Sequence, residues 1–448
     1  TTADGRLELD VGAAVNGSVG GALPIVLLSA AAARCELVVA KVRTGRLALT
    51  DARGAPLDLT LLARPPTDAK AKDDEVQEAA FVGCAPGLGA STVFLRRAAD
   101  ARPPPRTVAA AAERWKADRF LGAPSALALR AGCTSATLQP NGMLQSLGCG
   151  AGARVDVVQS VASYEDEGGA YIFKARTGGE PFAVDGGDVA VRRSPLLEDA
   201  TLRTAAFRST VRVSEHSAAA AADVASAELH VACSAPSNRD IVVRLKTSLR
   251  RGRLLIHDGY ALASRAASAP LDAAIGAIAH GPDAEFYPTA VGAALAQDDT
   301  LLLVVADRAV GVASRGSDRH AGELEVLVHR STAQDDGRGL GSPAPDASTV
   351  RTRLWVVWGE ARAVTAAASR LVAALEAPLH LMRGRCGGGA AALCEPPQWR
   401  AAFLPSFGAA AAATTATATG YASSVALRVQ DSASTRVLLR LQRACTLA

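Results

Sequence analysis

The sequence predicts a mainly β protein, with a small β-sandwich, then a large antiparallel β-sandwich region, then a terminal β domain. Three observations carry this. Short aliphatic runs such as "CELVVAKV", "VDVVQSVASY" and "GELEVLVHRS" recur along most of the chain. Several of them alternate apolar and polar residues with the period of two that a sheet with one wet face requires. Gly, Pro and Asp punctuate them at turn spacing.

In chain order, residues 1–105 read as short strands, with "CELVVAKV", "RLALTDARGAPLDL", "EAAFVGC" and "STVFLRRA" as the apolar runs of a small sandwich. "ARPPPRT" opens a break, and 106–124 is expected to be a linker holding at most a short helix. Strands resume from 125 and run to 345 as the large region; "TLLLVVADRAVGVAS" and "GELEVLVHRS" are its strongest. "SPAPDAST" marks a further break, so 346–448 is expected to form a C-terminal β domain. Its elements are "TRLWVVWGE", one helix around "ARAVTAAASRLVAALEAP" and the closing strands "SSVALRVQD" and "TRVLLRLQRA".

Composition removes several classes of function. A chain of 448 residues is too long for one ordinary core. Its formal charge of +4 is small, and the arginines are scattered among acids, so there is no basic stripe for nucleic acid. No apolar run approaches the roughly 20 residues of a membrane span. The opening "TTADGRLELD" has neither an initiator Met nor a signal-peptide pattern, as expected of a processed product or part of a longer protein.

Eight cysteines, Cys35, Cys84, Cys133, Cys149, Cys233, Cys386, Cys394 and Cys445, contain no C-x-x-C, which argues against a zinc ribbon or a thioredoxin-type motif. Cys386 and Cys394 are close in "RCGGGAAALCEPP", whose glycines allow closure, and a disulfide between them is expected. With the sequon Asn16-Gly17-Ser18 as an expected glycosylation site, this points to an oxidising secretory compartment.

Catalytic signatures are scarce. The seven histidines show no metal-ligand spacing. "GCAPGLGAS" has strands on both sides and no Lys-Ser/Thr, so it fails as a phosphate loop, and no G-x-S-x-G elbow supports a serine hydrolase. Asp298-Asp299 and Asp335-Asp336 are adjacent pairs. Neighbours on a strand point to opposite faces, so each pair by itself reads as a turn rather than a two-carboxylate site. "AQDDGRGLGSP", 333–343, packs two carboxylates, a guanidinium and three glycines together. It is compatible with a metal loop, a phosphate cradle, a tight turn or a piece of a sugar site.

The context of that stretch narrows the choice. Residues 285–341, "EFYPTAVGAALAQDDTLLLVVADRAVGVASRGSDRHAGELEVLVHRSTAQDDGRGLG", carry in order Tyr287-Pro288, Asp307-Arg308, Gly322-Glu323-Leu324-Glu325, His329-Arg330 and Asp335-Asp336-Gly337-Arg338-Gly339. This series resembles the C-terminal β region of the class II α-mannosidases, glycoside hydrolase family 38, of Golgi and lysosomal type. "APGLGASTVFL", "LQPNGMLQSL", "GGAYIFKARTGGEP" and "DIVVRLKTSLRRGRLLIHDGYALASR" are weaker echoes of the same family. Ala306 stands where the family usually has threonine, Ser331 where it often has a second arginine, and residues 317–321 look like an insertion.

The resemblance implies a retaining glycosidase with a carboxylate nucleophile, an acid partner and a sugar-gripping zinc, all held by an N-terminal α/β domain. The histidine-x-aspartate-proline-glycine-tryptophan-like motif of that domain does not occur in this chain. No catalytic residue and no metal ligand are therefore assigned here. No cofactor is expected in this chain, and zinc is implied only for the N-terminal catalytic domain or subunit that would be its partner. The resemblance further implies that Tyr171 of the "G-A-Y" motif offers its phenol to the sugar. It also implies that the loop Asp335, Asp336, Arg338 and Gly339 lies against the same pocket; glycines flanking Arg338 would let main-chain carbonyls face hydroxyls. The expected function is the C-terminal portion or cleaved subunit of an α-mannosidase acting on mannose-containing N-glycans in the secretory pathway lumen or outside the cell. A non-catalytic carbohydrate-binding or structural protein derived from a mannosidase is the alternative.

Overall fold

The computed structural model describes residues 8–9, 22–29, 34–43, 47–51, 53–62, 76–86, 89–97, 107–109, 111–116, 127–150, 152, 154–169, 173–175, 180–182, 187–236, 238–250, 253–257, 262–265, 286–315, 321–335, 337, 339, 341–383, 423–429 and 437–443. They are mostly strand, with a single helix, as the alternating pattern predicted.

The small unit is two five-stranded sheets face to face. In one, Arg34–Arg43 pairs antiparallel with Val76–Ala85; in the other, Ala22–Ser29 pairs with Gly89–Arg97. Ile25, Leu27, Val42, Leu49, Phe81 and Leu95 fill the space between them. Cys35 and Cys84 are directly opposite in the register and are joined by a disulfide.

The large unit packs a ten-stranded sheet on a nine-stranded one. Alternation explains how each strand serves both sides. In Val224–Ser234, Leu229, Val231 and Cys233 enter the core between the sheets, while Glu228 and His230 stand on the opposite face. Truncating such a buried leucine costs about 2 to 5 kcal/mol in comparable cores. A second disulfide joins Cys133 to Cys149. Two disulfides fit a secreted or lumenal protein. Among the described residues no helix is long and apolar enough to cross a membrane.

Two expected boundaries are crossed by strands. The segment 106–124, read as a linker, contains Thr107–Ala109, which pairs with Leu59–Leu62 of the small unit, and Ala111–Lys116, which pairs with Asp188–Arg193 of the large one. It therefore stitches the two units together. Thr349–Glu360, placed in a separate terminal domain at 346–448, lies inside the ten-stranded sheet between Val224–Ser234 and Thr300–Ala306. Its apolar residues Leu354, Val356 and Trp358 belong to the large core, which a strand of a separate domain would not reach. His380–Arg383 then returns to pair with Ala22–Ser29. The hairpin Ser423–Val429 and Val437–Arg443 is present as expected.

The helix Ala361–Glu376 follows that central strand. Val364, Ala367, Ala368 and Leu371 fall on one face at spacings of three and four residues and pack against Trp355, Leu303 and Val305.

Between the two units, Arg192 makes a bidentate pair with Asp199, at 2.7 and 2.6 Å, and reaches across to Glu78 of the small unit at 2.9 Å. Arg212 completes the group at 3.0 Å from Asp199. Burial alone would raise the Asp199 carboxyl, but Arg192 and Arg212 outweigh it and hold the group well below the usual carboxylate range.

Candidate functional site

The candidate site lies where three neighbouring strands of the nine-stranded sheet end together: Arg154–Glu165, Arg239–Arg250 and Ala321–Ser331. From the first the chain turns through 166–169. From the third it leaves into the Asp335–Gly339 loop. The middle strand is entered through Asn238.

Asn238 sits in the left-handed region (φ 61°), where asparagine is among the better tolerated side-chain-bearing residues. Its backbone carbonyl accepts from the Asp166 amide at 3.2 Å, and its Oδ1 accepts from the Ala333 amide at 3.3 Å. One residue thus holds the roots of both segments.

Beside it, Asp166 accepts hydrogen bonds from the amides of Gly168 and Gly169 at 3.0 and 3.2 Å, folding the start of "GGAY" into an Asx-type turn. Gly169 has φ 74°, which a side chain would strain. Arg330 locks this turn. Its Nη2 donates to the Gly169 carbonyl at 3.0 Å and lies 3.3 Å from Asp166 Oδ1, its Nε lies 3.2 Å from Asp240 Oδ1, and its guanidinium sits 5.4 Å over the Phe173 ring. Asp240 is fully buried, and its second oxygen has no hydrogen-bond partner among the described residues. Burial, with the neighbouring Asp166 carboxylate adding to it against Arg330, pushes the Asp240 carboxyl up to about 6.

Beneath this corner an aromatic and ionic layer keeps it rigid. Tyr164 meets Phe173 and Phe286 edge-on at 6.3 Å, and Phe173 meets Phe286 at 4.8 Å. The Tyr164 hydroxyl donates to Glu325, 2.8 Å from each carboxylate oxygen, and Arg244 binds the same carboxylate at 2.6 and 2.8 Å. Phe173, two residues beyond Tyr171, is the anchor of that segment.

The loop after Ser331 is fastened at its base. Thr332 and Ala344 exchange hydrogen bonds at 3.3 Å, and the Asp346 amide donates to Ser331 Oγ at 3.0 Å. The Nδ1 of His329 accepts from the Ala235 amide at 3.1 Å. Asp335 is exposed, and Gly337 and Gly339 adopt φ of 66° and 107° with open space around them. Such positive φ values are open to glycine and strained for other residues. Asp336, Arg338, Tyr171, Asn16, Cys386 and Cys394 lie outside the described residues. Among the described residues no three His, Cys, Asp or Glu side chains converge as a metal site.

Sequence reasoning named the two segments but not the residues that join them. The His329-Arg330 motif by itself gives Arg330 no role. Asp166, two residues ahead of Gly168-Gly169, carries an Asx-turn signature that could have been read. Nothing local marks Asp240 or Asn238, because their partners are distant in sequence.

No family model and no curated protein matches this sequence. Solved structures do. An α-mannosidase from Enterococcus faecalis V583 superposes with a TM-score of 0.55 at 11% identity, over 84% of this chain and 48% of that one. A glycosyl hydrolase family 38 protein from Enterococcus faecalis superposes with a TM-score of 0.53 at 12% identity, over 83% of this chain and 48% of that one. The chain thus spans about half the length of these structures, and at such identity the likeness is one of fold. Over most of its described length, then, the chain has the β-sandwich fold that forms just under half of these family 38 α-mannosidases.

Proposed function

We propose that this chain is the C-terminal portion or subunit of a retaining α-mannosidase acting on mannose-containing N-glycans in the secretory pathway lumen, and that it completes the sugar pocket of a separate catalytic domain. The observation that supports this most is the shared anchorage of the two segments. Asn238 and Arg330 tie the "GGAY" turn and the Asp335–Gly339 loop to one corner of one sheet. In this reading Tyr171 donates a hydrogen bond to a sugar hydroxyl. Asp335, Asp336 and Arg338 shape the loop, with Gly339 turning a carbonyl towards the ligand. The partner domain supplies the nucleophile, the acid and the zinc that grips sugar hydroxyls.

Peptide mapping of the natural source protein tests this reading. A catalytic domain bearing zinc-ligand residues, linked to or co-purifying with this chain, is expected, together with hydrolysis of an aryl α-mannoside by the assembly and none by the chain alone. A source protein that binds mannosides yet has neither that domain nor hydrolytic activity would favour the non-catalytic carbohydrate-binding reading instead.

A further inference from the structure

Away from that corner, the outer face of the ten-stranded sheet forms the floor of a cleft. Register places three rows of side chains across it. The first is Asp188, Arg203, Arg208, Ala232 and Arg351; the second Ala190, Thr201, Thr210, His230 and Arg353; the third Arg192, Asp199, Arg212, Glu228 and Trp355. Most of these line a cleft of about 1480 Å³, closed on its far side by Glu36–Val39 of the small sandwich and by the end of the helix at Leu371 and Leu375. That volume exceeds the roughly 300–1,000 Å³ of an ordinary small-molecule site.

The rows differ in charge. The third is balanced, with Arg192 and Arg212 against Asp199 and Glu228; Asp199 pairs with both arginines, and Glu228 is held by His230 of the second row and by Ser217. The first holds three guanidiniums against the single carboxylate of Asp188. Arg203, which has a partner of its own, and Arg208 are directly opposite across the two strands, an arrangement of like charges that costs stability. Arg208 is mostly buried, and among the described residues its guanidinium has no hydrogen bond or ion pair. Burial, and then Arg192 and Arg203, depress its guanidinium, with only the already shared Asp199 opposing them. Arg351 likewise has no partner among the described residues, and Ala232 between it and Arg208 leaves a gap.

We propose that this row is a binding site for an oxyanion, a phosphate or carboxylate group carried on a small molecule, held between Arg208 and Arg351. A guanidinium presents a planar fork of donors that matches either group, and a desolvated one with no partner gains most from receiving it. The cleft is too large for a bare anion, so the group is a substituent on a larger molecule such as an acidic or phosphorylated sugar.

Calorimetric titration of the full chain with inorganic phosphate, glucuronate and a hexose phosphate, at constant ionic strength with chloride as control, tests the proposal. Phosphate or glucuronate is expected to bind, the stronger of the two identifying the group. Arg208→Gln and Arg351→Gln should each weaken that binding at least about tenfold, the loss of one charge-assisted contact. Arg208→Gln should leave the unliganded melting temperature unchanged or raise it, because the repulsion from Arg203 falls. Saturable binding unaffected by either substitution, or no binding beyond the chloride control, would overturn the proposal. So would an Arg208→Gln chain that melts lower and binds as before.

Discussion

The guanidinium of Arg330 donates to the carbonyl of Gly169 across 161 positions of sequence, at 3.0 Å. Through that contact the end of one strand fixes the turn at Gly168-Gly169, which precedes Tyr171 in the sequence. The same guanidinium is shared by Asp166 and Asp240, both with fully buried carboxylates.

Replacing Arg330 should therefore be costly. Arg330→Gln leaves two buried carboxylates without a cation, and breaking a buried pair in this way costs about 3 to 5 kcal/mol. Urea unfolding at pH 7 checks it, with the midpoint shifting down and the slope unchanged. A loss below about 1 kcal/mol would mean that the corner is held by its backbone bonds alone.

Asp240 gives the corner a pH signature. Its folded pKa, pushed up to about 6, lies above the ordinary 3.8, so the folded state binds more protons than the unfolded state between those values. This contribution to stability is complete below about pH 4 and is lost as pH rises through 6, on the order of 1 to 3 kcal/mol. Asp240→Asn cannot titrate and should remove the decline. If thermal melts of the two chains follow parallel courses from pH 4 to 7, Asp240 does not carry the effect.

The thiols separate by environment. Burial pushes the Cys233 thiol up to about 12, so iodoacetamide should leave it unmodified in the native chain. Peptide mapping without reductant should recover Cys35 joined to Cys84 and Cys133 joined to Cys149. It also tests the proposed Cys386–Cys394 bond, which alkylation of both would sink. Removing the Cys133–Cys149 bridge by paired Ala substitutions should cost about 3 kcal/mol, the order expected for a loop of about this length.

The strands and the helix were legible because their periods are local. Glu228 and His230 alternate with Leu229 and Val231, and Val364, Ala367 and Leu371 recur at helical spacing. Pairing was not legible, because it is decided over long separations. The Pro-rich break at "ARPPPRT" looked like a boundary, yet strands following it join both units. Thr349–Glu360 looked like the start of a new domain, yet its neighbours on either side are Val224–Ser234 and Thr300–Ala306. The two candidate site segments rest on resemblance and glycine chemistry. Asn238 and Asp240, which join them, became visible only once the register set three strand ends side by side.

The most direct test of the sugar-pocket reading is kcat/KM for an aryl α-mannoside, measured on the proposed assembly of this chain with its catalytic domain and on its Tyr171→Phe variant. If the phenol donates to a substrate hydroxyl, its loss costs about 1 to 3 kcal/mol in the transition state, lowering kcat/KM roughly 5-fold to 150-fold with zinc content and melting temperature unchanged. A variant with kcat/KM within about twofold of the parent, whether or not its melting temperature moves, would contradict the placement of Tyr171 in the pocket.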